Sequence, residues 1–259
     1  MNFDLILENP PYGGTLHLEI LQNAINHIND NGLVVNLSPI GLLQKYYTLG
    51  NTRILTFNIF ENVVHVIKVP IRYAMRFFKL DSLGQDLGIW VIKKGGKTNI
   101  LELSRSLVDN VGIVDKMKNK MAQFKSLKDR QVSFKDIDTT FPLKFVYGLS
   151  LANHGGYGTS CYAPTSINYE TAIKPIPGNH TVYVCYNSED KRRNAHTLFT
   201  TTLMRFFYKE AGMNDTPYSV VGDFEGLLDR RWTDKTLCDF FGITDDEWGL
   251  VQETMRPYL

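Results

Sequence analysis

The feature that most restricts the fold of this chain is an apolar run that stops at two adjacent prolines. Residues 3–7 are apolar except for Asp4, and Asn9–Tyr12, with the sequence Asn-Pro-Pro-Tyr, follows after Glu8. Proline has no backbone N–H and a fixed φ, so a strand cannot continue through two of them. Gly13 and Gly14 come next and favour a turn. The run therefore predicts a short buried strand that ends at a rigid turn.

After this turn, helical and extended patterns alternate along the chain. Leu18, Leu21, Ile25 and Ile28 are spaced to share one face of a helix over about residues 16–29. A second helix is predicted over 40–47, and further strands over 33–37, 54–60, 63–69 and 88–93. This alternation predicts an α/β fold with a parallel sheet.

The second part of the chain has a different character and begins, by our prediction, near residue 100. The boundary follows the lysine- and glycine-rich segment Lys93–Lys97. A strand is predicted over 181–185 and a helix over 194–210. Near the C-terminus, Thr244 and Glu247 have the spacing of a capping box at a helix N-terminus.

Charge and cysteine content exclude several classes of protein. The net charge of the 259-residue chain is +1, so nucleic-acid binding requires a local basic patch. Cys161, Cys185 and Cys238 are far apart, which indicates reduced thiols and neither a disulfide framework nor a zinc site. No apolar run is long enough to span a bilayer, and the N-terminus does not resemble a signal peptide. We therefore expect no membrane partner and a cytoplasmic location.

The residues Asn9, Pro10, Pro11 and Tyr12 suit one kind of chemistry. An adenine N6 amine is a poor nucleophile because its lone pair is delocalised into the ring. The Asn9 side-chain oxygen and the Pro10 carbonyl are two acceptors that would draw the amine toward tetrahedral geometry. Tyr12 offers a flat face for a base pulled out of a duplex. The alternative is an ordinary turn, although chance produces this string with a probability on the order of one in a thousand.

This string resembles motif IV of the amino DNA methyltransferases, in the adenine-N6 group with the gamma order of motifs. Leu33–Pro39 looks like the strand that follows in that family. Met75–Phe78 with Leu87–Lys93 looks like a later motif, whose aromatic residue stacks on the flipped adenine. The resemblance implies Phe78 as the stacking residue and Phe77 as its alternative. Packing in the hydrophobic core is the other interpretation of both rings.

The C-terminal tail adds to the resemblance, because Trp232–Leu237 and Phe240–Glu247 are similar to a signature of restriction-modification and phage adenine methyltransferases. The family implies a site-specific DNA adenine-N6 methyltransferase that transfers a methyl group from S-adenosyl-L-methionine to a flipped-out adenine. It also implies an α/β fold, with a partial Rossmann-like methyltransferase sheet over residues 1–100. An α+β target-recognition domain with a helical tail is expected over residues 101–259.

The cofactor-binding part of such an enzyme is expected to be incomplete in this chain. In the gamma order, a strand, a Gly-rich turn and an acidic residue precede the Asn-Pro-Pro-Tyr motif, but only eight residues precede Asn9. The Gly-rich segments Val220–Gly226 and His154–Gly158 are weak alternatives. Asp4 and Glu8 are candidates for contacting the cofactor or supporting the site, or they are solvated residues at a strand end. We expect a second polypeptide or domain to supply the missing half.

Double-stranded DNA is the expected partner of the second domain. Residues 115–135 contain seven basic and two acidic residues, which suits contacts to phosphates. A solvated helix face is the alternative interpretation. The predicted DNA-binding residues are Lys116, Lys118, Lys120, Lys125, Lys128, Arg130, Lys191, Arg192 and Arg193.

Two other functions compete with the enzyme. One is a non-catalytic DNA-binding remnant of such a methyltransferase, which acts as a decoy or regulator. The other is an adaptor that docks onto a methyltransferase or restriction complex through the exposed edge of its sheet.

Overall fold

The chain divides into two compact units, residues 1–109 and 110–259. The computed structural model describes residues 2–12, 16–49, 58–78, 86–124, 131–132, 145–150, 181–186, 189–210 and 228–256. The first unit ends somewhat beyond the boundary predicted near residue 100, because a short helix and its following turn belong to it.

The first unit is a mixed α/β structure. In chain order its elements are β1 (Phe3–Glu8), α1 (Leu16–Asn26), β2 (Ile28–Pro39), α2 (Gly41–Leu49), a 3-10 turn (Phe60–Asn62), β3 (Val63–Val69), α3 (Ile71–Phe78), β4 (Leu87–Lys93) and α4 (Ile100–Ser106).

Four of the predicted strands, over 3–7, 33–37, 63–69 and 88–93, are confirmed. The strand predicted over 54–60 is wrong at its end, where residues 58–60 form a turn, and its earlier part lies outside the described residues.

The first helix is shorter than its periodicity predicts. It ends at Asn26, and Ile28 already belongs to β2. The backbone N–H of Phe3 donates to the carbonyl of His27 at 2.9 Å, and Ile28 pairs with Phe3 in the sheet. Pairing between distant segments therefore decides the boundary, and the local helical pattern is overridden.

The strands of the first unit form a mixed sheet in the order β1-β2-β4-β3, so the prediction of a parallel sheet is wrong. β1 and β2 are parallel, whereas β4 is antiparallel to both of its neighbours. Apolar runs predict that a strand is buried, but they carry no information on its direction. As a result, the carboxyl ends of β1, β2 and β3 lie at the same end of the sheet as the amino end of β4.

One face of this sheet carries the hydrophobic core of the unit. Helix α1 places Leu18, Leu21 and Ile25 against it, and Trp90 from β4 is fully buried there beside Phe60, with ring centroids 5.6 Å apart. Core residues of α2 and partly buried residues of α4 complete the same cluster. This face holds most of the apolar area that stabilises the unit.

The opposite face of the sheet is also apolar but is much less covered. Leu7 is 70% exposed, Leu5 54% and Ile67 50%. We call this surface the open face; its members are Leu5, Leu7, Leu33, Val35, Leu37, Ile67, Ile89 and Val91.

The second unit contains a small antiparallel sheet and several helices. Its strands have the order β5-β7-β6, and the predicted strand over 181–185 is confirmed as β7. Its described elements are α5 (Val111–Met121), β5 (Gln131–Val132), β6 (Phe145–Ser150), β7 (Thr181–Tyr186), α6 (Glu189–Phe199), α7 (Thr202–Glu210), α8 (Asp234–Phe241) and α9 (Asp245–Met255).

The helix predicted over 194–210 is two helices, α6 and α7. The break falls at Thr200 and Thr201. The hydroxyl of Thr201 donates to the carbonyl of Leu198 at 2.7 Å and accepts from the backbone N–H of Met204 at 3.3 Å. This side chain ends one helix and caps the next, which is the usual competition of threonine with a continuous helix.

The predicted capping box at the start of α9 is confirmed. The Thr244 hydroxyl accepts from the backbone N–H of Glu247, and the Glu247 carboxylate accepts from the backbone N–H of Thr244 at 2.9 Å. Lys116 of α5 also donates to Glu247, so the box ties two helices together.

Removing this cap is expected to weaken the second unit. Thr244→Ala leaves the backbone N–H of Glu247 without its side-chain acceptor and lowers the free energy of unfolding by about 1 kcal/mol. Thr244→Ser keeps the hydroxyl and is expected to stay close to the parent protein. Urea unfolding followed by circular dichroism measures both variants, and an equal loss in both would contradict a role for the hydroxyl.

Candidate functional site

The Asn-Pro-Pro-Tyr segment lies at the carboxyl end of β1, where α/β sheets commonly carry their sites. Pro10 is buried and anchors the segment, whereas Asn9 is exposed. The Tyr12 hydroxyl donates to the Asn9 side-chain oxygen at 2.6 Å. Because a carbonyl oxygen has two lone pairs, Asn9 can accept a second hydrogen bond while Tyr12 holds it in place. The segment thus presents a rigidly oriented acceptor.

Tyr12 lies against a histidine that the sequence did not single out. Burial raises the pKa of the Tyr12 hydroxyl, which keeps it a donor near neutral pH. The ring of His17, at the start of α1, meets the Tyr12 ring edge-on, with centroids 6.4 Å apart. His17 is buried, and burial lowers its pKa, so it is neutral at pH 7. Among the described residues, its Nδ1 has no hydrogen-bond partner.

Behind the motif, a polar network joins β1 to β2. Asn36 donates to Glu8 at 2.7 Å, and Ser38 donates in turn to the Asn36 side-chain oxygen. Asn36 and Ser38 are fully buried. The other candidate acid, Asp4, accepts from Asn29 at 2.6 Å. The hydrogen bond from Asn36 holds the Glu8 side chain against β2, and this fixes the end of β1 immediately before Asn9.

The Glu8 network gives a pH-dependent prediction. Burial raises the pKa of Glu8 above its ordinary value of 4.5, and the hydrogen bond from Asn36 partly opposes this. The folded state therefore holds the Glu8 proton more tightly than the unfolded state does. The resulting stability is present below pH 4.5 and is lost as the pH rises through the raised pKa.

Glu8→Gln removes this titration and keeps an oxygen that can accept from Asn36. We expect the stability of the variant relative to the parent to increase as the pH is raised from about 4 to 7. Urea unfolding at several pH values in this range measures it. A relative stability that falls over the same range would contradict the assignment.

A cavity of about 620 Å³ lies at the same end of the sheet. The floor comes from strand residues of β2, β3 and β4, and the wall comes from α3. The described residues that line it are Leu37, Val69, Tyr73, Arg76, Phe77, Phe78 and Ile89. A largely apolar cavity with a few polar groups is the usual form of a small-molecule or base-binding site.

Both predicted stacking residues line this cavity. Phe77 is 82% exposed and Phe78 is 38% exposed, and their rings meet edge-on with centroids 5.2 Å apart. Neither ring is buried in the core, so both have a surface that a planar ligand can cover.

The sheet register relates the motif to the cavity. Glu8 pairs with Asn36 on the adjacent strand, and the residue after Asn36 is Leu37, which lines the cavity. Asn9, the residue after Glu8, is therefore level with Leu37, about one strand spacing (~5 Å) away along the sheet edge. Asn9 directly follows Glu8, the last residue of β1, so it stands at the same end of the sheet as Leu37.

On α5, the predicted DNA-binding lysines make contacts within the second unit. Lys116 forms an ion pair with Glu247 at 2.7 Å. The ammonium group of Lys120 lies 5.1 Å from the ring centroid of Phe240. Lys118 is on the same helix and also has an interaction within the protein.

On α6, Lys191 lies 3.6 Å from Asp229, and Arg193 is exposed. The Gly-rich segments Val220–Gly226 and His154–Gly158 lie outside the described residues. The remaining predicted DNA-binding side chains also lie outside the described set: Lys125, Lys128, Arg130 and Arg192.

The described residues show neither a metal cluster nor a membrane span. In these ranges, no three His, Cys, Asp or Glu side chains come together as a metal site requires. Each helix that the structure describes is too short or too polar to cross a bilayer.

Comparisons of the chain with models of known families, with curated proteins and with solved structures found no match.

Proposed function

We propose that this protein is the target-base-binding part of a DNA adenine-N6 methyltransferase. The observation that carries the proposal is the placement of the exposed Asn9 acceptor at the same end of the sheet as a cavity walled by Phe77 and Phe78. An enzyme that modifies a base must extract it from the stack and hold it between flat side chains and hydrogen-bonding groups. The cavity and the motif together provide both kinds of group.

In this proposal, an adenine enters the cavity and lies against Phe78 or Phe77. Its N6 amine donates to the Asn9 side-chain oxygen and to the Pro10 carbonyl, which directs the nitrogen lone pair outward. Pro10 and Pro11 have no backbone N–H groups, so neither residue places a competing donor beside the Pro10 carbonyl. The hydrogen bond from Tyr12 holds the Asn9 amide in orientation before the base arrives, which is the preorganisation that catalysis requires.

S-adenosyl-L-methionine is the proposed methyl donor, held mainly by a further polypeptide segment. The uncovered leucines Leu5 and Leu7 on β1 support this. β1 pairs with β2 alone among the described strands, so its other edge has no strand partner in the described part of the chain and suits the addition of one. A segment added there would lie beside Asn9 and could bring the sulfonium methyl group close to N6.

The same edge supports a second candidate, an adaptor that docks onto a methyltransferase or restriction complex. Leu7→Lys tests whether a partner protein docks on β1 without disturbing the fold. Leu7 is 70% exposed, so its substitution leaves the core intact. Loss of association with retained melting temperature, measured by sedimentation and calorimetry, would support docking through β1.

The enzymatic proposal is tested by expressing the chain in a host that lacks adenine methylation of its own. The chain is expressed alone and together with the reading frames that flank its gene. Digested host DNA is then analysed by mass spectrometry for N6-methyldeoxyadenosine. Methylation in either arm supports the proposal. A null result in both, with soluble protein present, favours the non-catalytic DNA-binding or adaptor role.

A further inference from the structure

Arg76 differs in chemistry from its neighbours in the cavity, because the other described lining residues are apolar or aromatic. Its side chain is exposed at the cavity wall. Among the described residues, no carboxylate forms an ion pair with it. A guanidinium group beside an apolar cavity, without an acidic partner in the described part of the chain, is available to an anionic ligand.

The geometry of α3 places this charge next to the aromatic wall. Tyr73, Arg76 and Phe77 are spaced at i, i+3 and i+4, so they share one face of the helix. A planar ring stacked on the aromatic side chains would therefore carry its substituents toward the guanidinium. The planar fork of arginine binds phosphate through two parallel hydrogen bonds.

We propose that Arg76 binds a phosphate of the nucleotide whose base occupies the cavity, so that the site selects a nucleotide over a free nucleoside. This inference rests on the proposed function, in which the ligand is an extruded adenine nucleotide. A nucleotide within a DNA strand carries a phosphate on each side of its sugar, and the exposed Arg76 side chain is accessible to such a group. The carboxylate of S-adenosylmethionine is the competing source of an anion.

The test compares 2′-deoxyadenosine with its 5′-monophosphate as ligands of the full chain, by calorimetry or NMR titration. The parent protein is expected to bind the monophosphate about tenfold more tightly, the gain typical of charge-assisted hydrogen bonds. Arg76→Gln is expected to lose this preference while its affinity for deoxyadenosine stays unchanged. Arg76→Lys is expected to keep part of it, because a point charge replaces the planar fork.

Two controls make the readout specific. Arg105→Gln removes an exposed arginine of α4 that does not line the cavity, and it is expected to keep the full preference. Phe77→Ala is expected to weaken both ligands, because it removes part of the stacking wall. S-adenosylhomocysteine and 5′-methylthioadenosine, which differ by the carboxylate-bearing portion, form a second ligand pair.

The outcomes separate the inference from the function on which it rests. If deoxyadenosine binds but the monophosphate binds no more tightly, or if the preference survives in Arg76→Gln, the inference fails and the base site stands. If Arg76→Gln instead removes a preference for S-adenosylhomocysteine over 5′-methylthioadenosine, the anion is the cofactor carboxylate and the phosphate assignment is wrong. If neither 2′-deoxyadenosine nor its 5′-monophosphate binds at about 10 mM, the phosphate contact of Arg76 and the adenine-binding function both fail.

Discussion

Asn9→Ala is expected to reduce methyl transfer to DNA by about 100- to 1000-fold, the usual effect of removing one preorganised hydrogen-bonding group from a reacting centre. Asn9 is exposed, and its side-chain oxygen accepts from Tyr12 without supporting the core. The variant should therefore fold normally and lose only an acceptor for the target amine. Initial rates with radiolabelled S-adenosylmethionine, in whichever arm of the expression experiment shows methylation, measure the effect.

Matched variants show whether the loss of methyl transfer comes from the missing Asn9 acceptor. Asn9→Asp keeps an acceptor oxygen and is expected to retain more activity than Asn9→Ala. Asn23→Ala removes an exposed amide from α1 and is expected to have no effect. Affinity for DNA should change little in Asn9→Ala, because contacts to phosphates dominate affinity. Activity equal to that of the parent in Asn9→Ala would remove the motif from the reaction.

Trp90→Ala is expected to cause the largest loss of stability, about 3–5 kcal/mol. Trp90 is fully buried on a central strand, packs against Phe60, and donates its indole N–H to the carbonyl of Ser38 at 3.3 Å. Alanine there leaves a cavity in the core and removes the indole donor from the Ser38 carbonyl. Since small domains have only about 5–15 kcal/mol of net stability, the loss is a large fraction of the total.

Circular dichroism in urea measures this loss. Trp90→Phe keeps an aromatic ring and is expected to cost less than Trp90→Ala. Phe77→Ala is the matched surface control: that ring is 82% exposed, so its removal should change the free energy of unfolding by no more than about 0.5 kcal/mol. A comparable loss in Phe77→Ala would mean that this ring packs in the core and is not free to stack on a ligand.

The contrast between Trp90 and Phe77 shows where sequence reasoning stops. Both are aromatic residues in apolar surroundings, and hydrophobicity alone does not separate a core ring from a ligand-facing one. Their difference arises because β4 pairs with β2 and β3 in the middle of the sheet, whereas α3 lies at the end of the sheet beside the cavity.

The sequence by itself determined the features that depend on neighbouring residues. The strand before Asn9 ends where it does because prolines cannot donate to a sheet. The capping box of Thr244 and Glu247 forms because its two partners are three residues apart. The strands β3 and β4 were predictable from their apolar runs.

Only the tertiary structure decided the features that join distant parts of the chain. These are the antiparallel direction of β4, the hydrogen bond between Asn36 and Glu8, and the cavity in which Arg76 lies next to the strand ends. Each depends on pairing across many residues, and the pattern within one segment is compatible with several such pairings. The sequence thus specified the local chemistry of Asn9, and the long-range pairing of the strands set that residue at the same sheet end as the cavity.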